Sequence, residues 1–464
     1  MKKIILLDRS AKLAYNLAGD ENYLIRVLVV DRKEQVEELK NYKNIEQIFY
    51  CSAAENDDWS ETFDGKLHRD YYEYDSDLIS KFKRSHNKID SFIARFTSDW
   101  YIRQAYYYNA LFYWNYVFRT LDIDEVILND LQHGTSYDLA LDYAKIHGIR
   151  PIIIETLTSG KSNRLKAFFD YSKKQYIEIP AELRINSAKS IKNFLNEFSV
   201  PYKYEHQNAS NTINFIVNNL YSLFGPVIFF LKPTLKRTFL VQYSQKIPYW
   251  KLATQLLKMK HLLRYYERYS VKPNFKESYI YFPLHFQPEA SISVNTSIND
   301  QLTLIKMLSN VTDKKTKIFI KEHPVYQKIG EPKFHYHLAA VCDYRSKWFY
   351  DELSKLENVV LIDLEANQSE LIKNAKAVAV INGSVLFEAL FLHSVPVISF
   401  SPASNPLTQK CDHVIRVNSY EECRKALETI KRVMHLDKTH LQNLSQTFIC
   451  EESKVSAVYQ SLRE

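Results

Sequence analysis

The stretch Ala377-Val-Ala-Val-Ile-Asn-Gly-Ser-Val-Leu-Phe-Glu-Ala-Leu-Phe-Leu392 decides the fold class of this chain. Its five leading apolar residues predict a buried strand, Asn-Gly-Ser predicts a loop, and Val385–Leu392 predicts a helix. A short, continuously apolar strand that leads into a helix is typical of a parallel sheet covered by helices. A helix that begins at small polar residues also presents unpaired backbone N–H groups, which favour a phosphate group.

A second stretch, Lys317-Ile-Phe-Ile-Lys-Glu-His-Pro324, repeats the pattern of an apolar strand followed by polar side chains. Pro324 restricts the backbone of the turn that holds His323. Because the carboxyl ends of parallel strands meet at one edge of a sheet, we expect this turn to lie beside the Asn-Gly-Ser loop. The residues predicted to offer cationic or N–H donors to a phosphate are Lys321, His323, Asn382, Gly383 and Ser384. Each type also has a purely structural use, since a Ser often only caps a helix.

Three more positions extend this predicted pocket. Gln287 and Glu289 lie in Pro283-Leu-His-Phe-Gln-Pro-Glu289, which closes another predicted strand. Glu388 lies one helical turn after the Asn-Gly-Ser loop. A carboxylate there can accept hydrogen bonds from a ribose diol or from an internal partner, and the sequence leaves both interpretations open.

The length of 464 residues exceeds the usual size of one hydrophobic core and favours two domains. Strand and helix patterns alternate in residues 1–194 and again in 276–464, whereas 195–275 are basic, aromatic and helix-like. We therefore expect two Rossmann-like, doubly wound α/β domains joined by a helical linker. The predicted strands are Lys3–Leu7, Arg26–Val30, Gln47–Tyr50, Glu125–Leu128, Pro151–Ile154, Tyr279–Leu284, Lys317–Ile320, Val359–Ile362, Ala377–Ile381, Val395–Phe400 and His413–Val417.

Composition restricts the functional class. The net charge of +7 is modest for this length, so we expect no nucleic-acid partner. Five cysteines without a CxxC spacing favour reduced thiols in the cytoplasm over a disulfide framework or a zinc site. The apolar part of the N-terminus is too short for a signal peptide. Ile213–Leu231 contains three Asn and a Pro, which argues against a membrane span.

Positive charge is concentrated between Lys232 and Arg268, where nine Lys and Arg accompany one acidic residue, Glu267. One interpretation is a solvated basic face on linker helices. The other is attraction to a polyanionic acceptor or to the anionic inner face of the cytoplasmic membrane. In the second case the protein would associate peripherally with that membrane.

Three segments, in this order and spacing, resemble a known family: FPLHFQPEAS, IKEHP and INGSVLFEAL. They are similar to the capsule polysaccharide biosynthesis proteins, which include the Kdo transferases of bacterial capsule export. The resemblance covers much of the C-terminal part. It implies the GT-B architecture, in which two Rossmann-like domains face a cleft, and a sugar-nucleotide donor such as CMP-Kdo. It further implies that no metal or other cofactor is needed, and that His323, Asn382, Gly383 and Ser384 bind the donor phosphates.

The N-terminal half supplies the catalytic candidates. Glycosyl transfer needs a general base or a nucleophile, and a carboxylate or His is the usual supplier. Asp130 and His133 follow one predicted strand and Glu155 ends the next, so we predict that these three face the acceptor side. Structural or capping roles remain open for each. Asp122-Ile-Asp124 precedes its strand, which is wrong for a metal–diphosphate loop.

These patterns predict a cytoplasmic, metal-independent glycosyltransferase that moves a sugar from a nucleotide-sugar donor to a growing capsular or surface glycan or glycolipid. Two alternatives stay open. One is a nucleotide-sugar epimerase of the related fold. The other is a non-catalytic, glycan-binding component of a capsule assembly complex.

Overall fold

The computed structural model describes residues 1–8, 10–30, 32–50, 75–93, 99–129, 137–156, 165–184, 240–241, 245–246, 249–287, 300–328, 344–381, 383–401, 411–430 and 447–462.

The first sheet is built mainly from N-terminal strands that are buried on both faces. Five parallel strands are Lys2–Asp8 (β1), Tyr23–Val30 (β2), Ile48–Tyr50 (β3), Glu125–Asn129 (β4) and Arg150–Thr156 (β5), and two antiparallel strands follow, Leu165–Asp170 (β6) and Gln175–Ile177 (β7). Their spatial order is β7-β6-β5-β4-β1-β2-β3. The order reverses between β1 and β4, which makes their carboxyl ends a switch point.

Helices connect these strands in the doubly wound manner. They are Lys12–Leu17 (α1), Lys33–Leu39 (α2), Ser76–Lys81 (α3), Lys83–Ile93 (α4), Trp100–Thr120 (α5) and Tyr137–Ile146 (α6). Helix α5 is rich in aromatic residues and belongs to the core, because Tyr106, Tyr107, Tyr113 and Trp114 are each at most 2% exposed.

Between the two sheets the chain forms a short hairpin, Leu240–Val241 (β8) with Gln245–Lys246 (β9), and the long helix Tyr249–Tyr269 (α7). The linker predicted over 195–275 therefore contains a helix of 21 residues. Most of its N-terminal part lies outside the described residues.

The second sheet is entirely parallel. Its strands are Tyr279–Pro283 (β10), Lys317–Lys321 (β11), Val359–Leu361 (β12), Ala377–Val380 (β13), Val397–Ser399 (β14) and Val414–Arg416 (β15), in the spatial order β12-β11-β10-β13-β14-β15. Numbered along the chain this is 3-2-1-4-5-6, the Rossmann order, with a switch point between β10 and β13. Every strand predicted from the apolar runs is present, with ends that differ by at most three residues.

Among the described residues, six helices accompany the second sheet, and all but the last, which follows β15, lie between successive parallel strands. They are Gln301–Val311 (α8), Val325–Lys328 (α9), Lys347–Ser354 (α10), Gln368–Lys373 (α11), Ser384–Phe387 (α12) and Tyr420–Ile430 (α13). Helix α12 continues as a π-helical turn, Glu388–Leu392. The predicted class, two doubly wound α/β units with Rossmann-like sheets, is confirmed.

The C-terminal segment returns to the first sheet. Strand Cys450–Glu451 (β16) pairs antiparallel with β6, and helix Val455–Ser461 (α14) packs on α1. The sequence analysis assigned these residues to the second domain, because strand–helix alternation does not reveal which sheet a late strand joins. Apolar side chains of both sheets, including Phe169 and Tyr281, also form one continuous buried cluster.

Candidate functional site

The switch point of the second sheet is bridged by His285, which follows β10. The backbone N–H of Ile381, just after β13, donates to His285 Nε2 at 3.1 Å. Gln301 holds the His285 backbone from both sides, accepting from its N–H at 2.8 Å and donating to its carbonyl at 3.1 Å. Burial lowers the pKa of His285 to about 4, and the nearby Arg345 charge adds to this. The ring is therefore neutral, with Nε2 as acceptor and the proton on Nδ1.

His323 lies at the neighbouring strand end, after β11. The Val325 N–H donates to its Nδ1 at 3.2 Å, so the neutral ring carries its proton on Nε2. Burial lowers the pKa of His323 to about 3, with smaller contributions from His285, Arg345 and Lys321. This residue is thus a neutral N–H donor at physiological pH and not the cation that the sequence allowed.

The loop between β13 and α12 contains a backbone conformation that suits glycine. Gly383 has φ of +111°, a region that residues with a side chain rarely adopt. An added Cβ would meet the His285 ring at 3.7 Å. Helix α12 begins at Ser384, which is its first helical residue rather than its cap. The loop therefore brings backbone close to His285 at the switch point.

Glu388 is the buried carboxylate of this edge. It is 4% exposed, and Gln368 Nε2 donates to its Oε2 at 2.9 Å. Its Oε1 has no hydrogen-bond partner within the described chain, although His393 Nε2 lies 4.0 Å away. Burial raises the pKa of the Glu388 carboxyl. The Gln368 and Ser369 side chains oppose that rise. Since buried polar atoms nearly always have a partner, Oε1 remains the less satisfied of the two carboxyl oxygens.

Two other predicted ligands are engaged within the protein. The Lys321 ammonium donates to the Ala366 carbonyl, and burial lowers its pKa. The Gln287 side-chain oxygen accepts from Gln301 at 2.7 Å and from Arg345 at 3.0 Å. Both side chains therefore form hydrogen bonds within the protein at the carboxyl edge of the sheet. The predicted ligands Glu289 and Asn382 and the catalytic candidates Asp130 and His133 lie outside the described residues.

No family model matches the chain, and no curated protein matches its sequence. Solved structures that it resembles include the UDP-GlcNAc 2-epimerase of Methanocaldococcus jannaschii, with 14% identity over 100% of this chain and 99% of that chain, and a TM-score of 0.29. Another is the β Kdo 2,7 transferase KpsC of Thermosulfurimonas dismutans, with 12% identity over 80% of this chain and 95% of that chain, and a TM-score of 0.31. At these scores the site must be understood from the chain's own residues.

The switch point of the first sheet is bridged by Asp8 and Asn129. Asn129 Nδ2 donates to Asp8 Oδ1 at 2.9 Å, and the Ala14 N–H donates to Asp8 Oδ2 at 2.9 Å. Asp8 is fully buried, which raises its pKa despite these hydrogen bonds. The buried Asn129 Oδ1 has no partner among the described residues. The sequence analysis missed this pair, because each residue looks like an ordinary strand end.

Glu155 near the end of β5 is the one catalytic candidate that the structure describes. Tyr176 on β7 donates to its Oε2 at 2.6 Å. Burial raises the pKa of Glu155 to about 7, and the Tyr176 hydrogen bond opposes that rise. Arg416 on β15 of the second sheet interacts electrostatically with Tyr176. The pKa of this carboxyl group therefore lies near neutral pH, and its partner Tyr176 interacts with a residue of the second sheet.

The Asp122-Ile-Asp124 pair binds the N-terminal strand. Lys3 donates to Asp122 through its ammonium and to Asp124 through its backbone N–H at 2.7 Å. Elsewhere in the described ranges, no group of three or more His, Cys, Asp or Glu could hold a metal ion.

Sequence reasoning also missed Glu322, Arg345 and His285, all buried near the predicted phosphate ligands. Glu322 and His285 lie inside the quoted motifs, so their position could have been read from the strand ends. Arg345 could not, because it follows residues 329–343 and reaches the site only through the tertiary fold.

Helix α7 carries most of the described part of the basic stretch. Lys258, Arg264 and Arg268 are exposed on it. Within the part of the chain that the structure covers, no helix combines the length and apolar character needed to cross a membrane.

Proposed function

We propose that the second sheet binds the nucleotide of a sugar nucleotide, and that the chain transfers the sugar to a growing capsular or surface glycan or glycolipid. The donor would be CMP-Kdo or another CMP or UDP sugar. The resemblance of the three sequence segments to capsule polysaccharide biosynthesis proteins suggests this class of donor and acceptor.

The observation that carries the proposal is the switch point between β10 and β13. Ligands of open parallel sheets bind in the crevice at such a point. Here it combines a glycine backbone next to His285, the Nε2–H donor of His323 and a buried carboxylate oxygen of Glu388 that has no hydrogen-bond partner among the described residues. N–H donors suit the phosphate of a nucleotide, and the open carboxylate oxygen suits a ribose hydroxyl.

Glu155 would act as the general base in transfer. Its carboxylate would take the proton from the attacking acceptor hydroxyl while the bond between the anomeric carbon and the phosphate oxygen breaks. The negative charge that develops on the leaving nucleotide would be stabilised by N–H donors such as His323, so the proposed reaction uses no metal. The pKa of about 7 suits a base that works near neutral pH.

The same carboxyl group supports a second candidate, a nucleotide-sugar epimerase. A group with a pKa near 7 can also remove a proton from a sugar carbon and allow its return to the other face. The two candidates differ in product. Epimerisation leaves the nucleotide attached, whereas transfer releases it.

A ligand screen followed by product analysis tests the proposal. Binding of CMP, UDP or GDP, or of their sugars, should raise the melting temperature, since a ligand of the folded state stabilises it by mass action. The stabilising sugar nucleotide is then incubated with the protein and an acceptor glycan. A released nucleotide and an extended glycan support transfer, and an epimeric sugar nucleotide supports the second candidate. Absence of any stabilisation across the screen would contradict both and favour a non-catalytic component.

We also propose that the basic stretch 232–268 draws the protein to the anionic inner face of the cytoplasmic membrane. The exposed cations of α7 support this, because each basic residue near an anionic surface contributes about 1 kcal/mol. Replacing Lys258, Arg264 and Arg268 by Gln should reduce sedimentation with phosphatidylserine vesicles at low salt. Equal sedimentation of the two proteins would rule out this helix as the contact.

A further inference from the structure

Arg345 is buried at the second sheet's carboxyl edge, and its side chain is fully inaccessible. A guanidinium has five N–H donors, and here each finds an acceptor within the protein. Two go to the Glu322 carboxylate (2.8 and 3.2 Å), and the others go to the Gln287 side chain (3.0 Å), the His285 carbonyl (3.0 Å) and the Tyr344 carbonyl (2.9 Å). Its Cζ also lies over the rings of Tyr326 and Phe349, whose centroids are 5.1 and 4.8 Å away.

Its partner Glu322 is equally saturated. Besides the two bonds from Arg345, its Oε1 accepts from the His323 backbone N–H at 2.8 Å and its Oε2 accepts from the Tyr350 hydroxyl at 2.8 Å. A carboxylate offers about four acceptor positions, and all are used. The ion pair therefore has no donor or acceptor left for a ligand.

The bonds of this pair connect two different loops. Arg345 holds the carbonyl of His285, after β10, while Glu322 holds the backbone N–H of His323, after β11. The two imidazole rings belong to separate strand ends, which are far apart in the sequence and are joined through the pairing of β10 with β11. The ion pair links their backbones together with two other contacts, the Leu284 N–H bond to the Lys321 carbonyl at 2.8 Å and the Tyr326 hydroxyl bond to the Gln287 carbonyl at 2.9 Å.

We propose that Arg345 is a positioning residue that fixes the His285 and His323 loops relative to each other, so that a nucleotide phosphate meets a preformed pair of strand ends. This inference rests on the proposed nucleotide site. It assigns Arg345 no contact with the phosphate, although an arginine near such a site would ordinarily be taken as a phosphate ligand. Because its planar fork makes the link, a lysine with the same charge cannot replace it.

The first experiment needs no nucleotide. Hydrogen exchange is measured on peptides covering 281–287 and 320–328 in the wild type and in Arg345→Lys. We expect exchange to become about 10-fold faster in both peptides, because the clamp on both loops is lost. The matched control is Leu308→Ala, a buried substitution on α8, compared at the same interval below its own melting temperature. Unchanged exchange in Arg345→Lys, or equal acceleration in the control, would overturn the proposal.

Should Arg345→Lys fail to fold, Tyr350→Phe provides the second variant, because it removes one bond to Glu322 and keeps the ion pair. It should accelerate exchange in 320–328 more than in 281–287. Equal exchange in that variant and the wild type would count against the clamp.

The second experiment separates positioning from general stability by a double-mutant cycle on nucleotide affinity. Arg345→Lys should weaken binding of the nucleotide found in the screen by about 10-fold. If Arg345 acts through His323, adding His323→Ala should cost little more than either change alone. Losses that multiply would refute the positioning role. If the wild type binds no nucleotide, the proposed function fails, while the exchange result still decides whether the clamp exists.

Discussion

The two switch points of this chain are both bridged by a buried polar side chain. They differ in whether the ionisable groups beside them are neutralised by a partner. In the second sheet, neutral His285 bridges β10 and β13, and every charge of the Arg345–Glu322 pair beside it is matched. In the first sheet, Asp8 and Asn129 bridge β1 and β4, and nearby Glu155 keeps a carboxyl group whose pKa is about 7. One edge is fixed, and the other can change its protonation state near neutral pH.

This difference matches the different needs of phosphate binding and of proton transfer. A phosphate that is held by neutral N–H donors in a rigid frame needs no proton movement at that edge. A reaction that moves a proton needs a group that is readily ionised at working pH, and burial supplies it at Glu155. The comparison therefore supports the proposal that the second sheet binds the nucleotide and the first supplies the group that moves a proton.

The strongest test removes the titratable group of the first sheet. Glu155→Gln should lower turnover by about 10²- to 10⁴-fold, the usual contribution of a positioned base. Nucleotide affinity, measured by calorimetry, should stay within about twofold, because the proposed nucleotide site lies on the other sheet. Full activity in this variant would remove Glu155 from the mechanism. Loss of nucleotide binding would show that binding and proton transfer are not separated between the two sheets.

The next test removes the neutral donor of the second sheet. His323→Ala should weaken nucleotide binding about 10-fold or more, since the lost N–H donor bonds a charged group. The fold should survive, because His323 as a whole residue keeps part of its surface exposed. His261→Ala, at an exposed position on α7, serves as the control. Wild-type affinity in His323→Ala would refute the phosphate assignment.

The sequence predicted the strands and the order of the ligand-bearing loops well, because apolar runs and strand-end polar residues are local signals. It identified His323, Gly383 and Glu388 as candidate positions. It could not predict that Lys321 and Gln287 turn into the framework, since that depends on Ala366 and Arg345, which are distant in the chain. Nor could it show that His323 is neutral, because burial and not residue type sets its pKa.

A smaller effect is expected from the backbone of the second edge. Gly383→Ala places a side chain at φ of +111°, which should cost about 1–3 kcal/mol of folding stability or shift the loop. The added Cβ itself finds ordinary contact distance to His285, so strain and not collision is the cause. Gly148→Ala, with φ of +70° and open space around it, is the matched control away from the site. If both variants lose equal stability but only Gly383→Ala loses nucleotide affinity, the loop backbone is part of the site. Equal affinity in both would exclude it.

The smallest expected effect is a shift in the pKa of Glu155 at the first edge, with its carboxyl group kept. The Tyr176 hydrogen bond lowers the pKa of Glu155, so Tyr176→Phe should raise it above about 7. A base works when deprotonated. The part of the pH profile in which turnover rises with pH should therefore move to higher pH, by up to about one unit.

The pH dependence of folding stability should shift in the same direction. A carboxyl whose folded pKa is raised stabilises the fold below its unfolded pKa, near 4.5, and that contribution is lost as pH rises through about 7. In Tyr176→Phe the loss should occur at higher pH. Tyr171→Phe is the control, because it removes a hydroxyl bound to Asp142 at 2.8 Å and leaves Glu155 untouched. A profile that moves to lower pH, or moves equally in the control, would contradict a base whose pKa is held down by Tyr176.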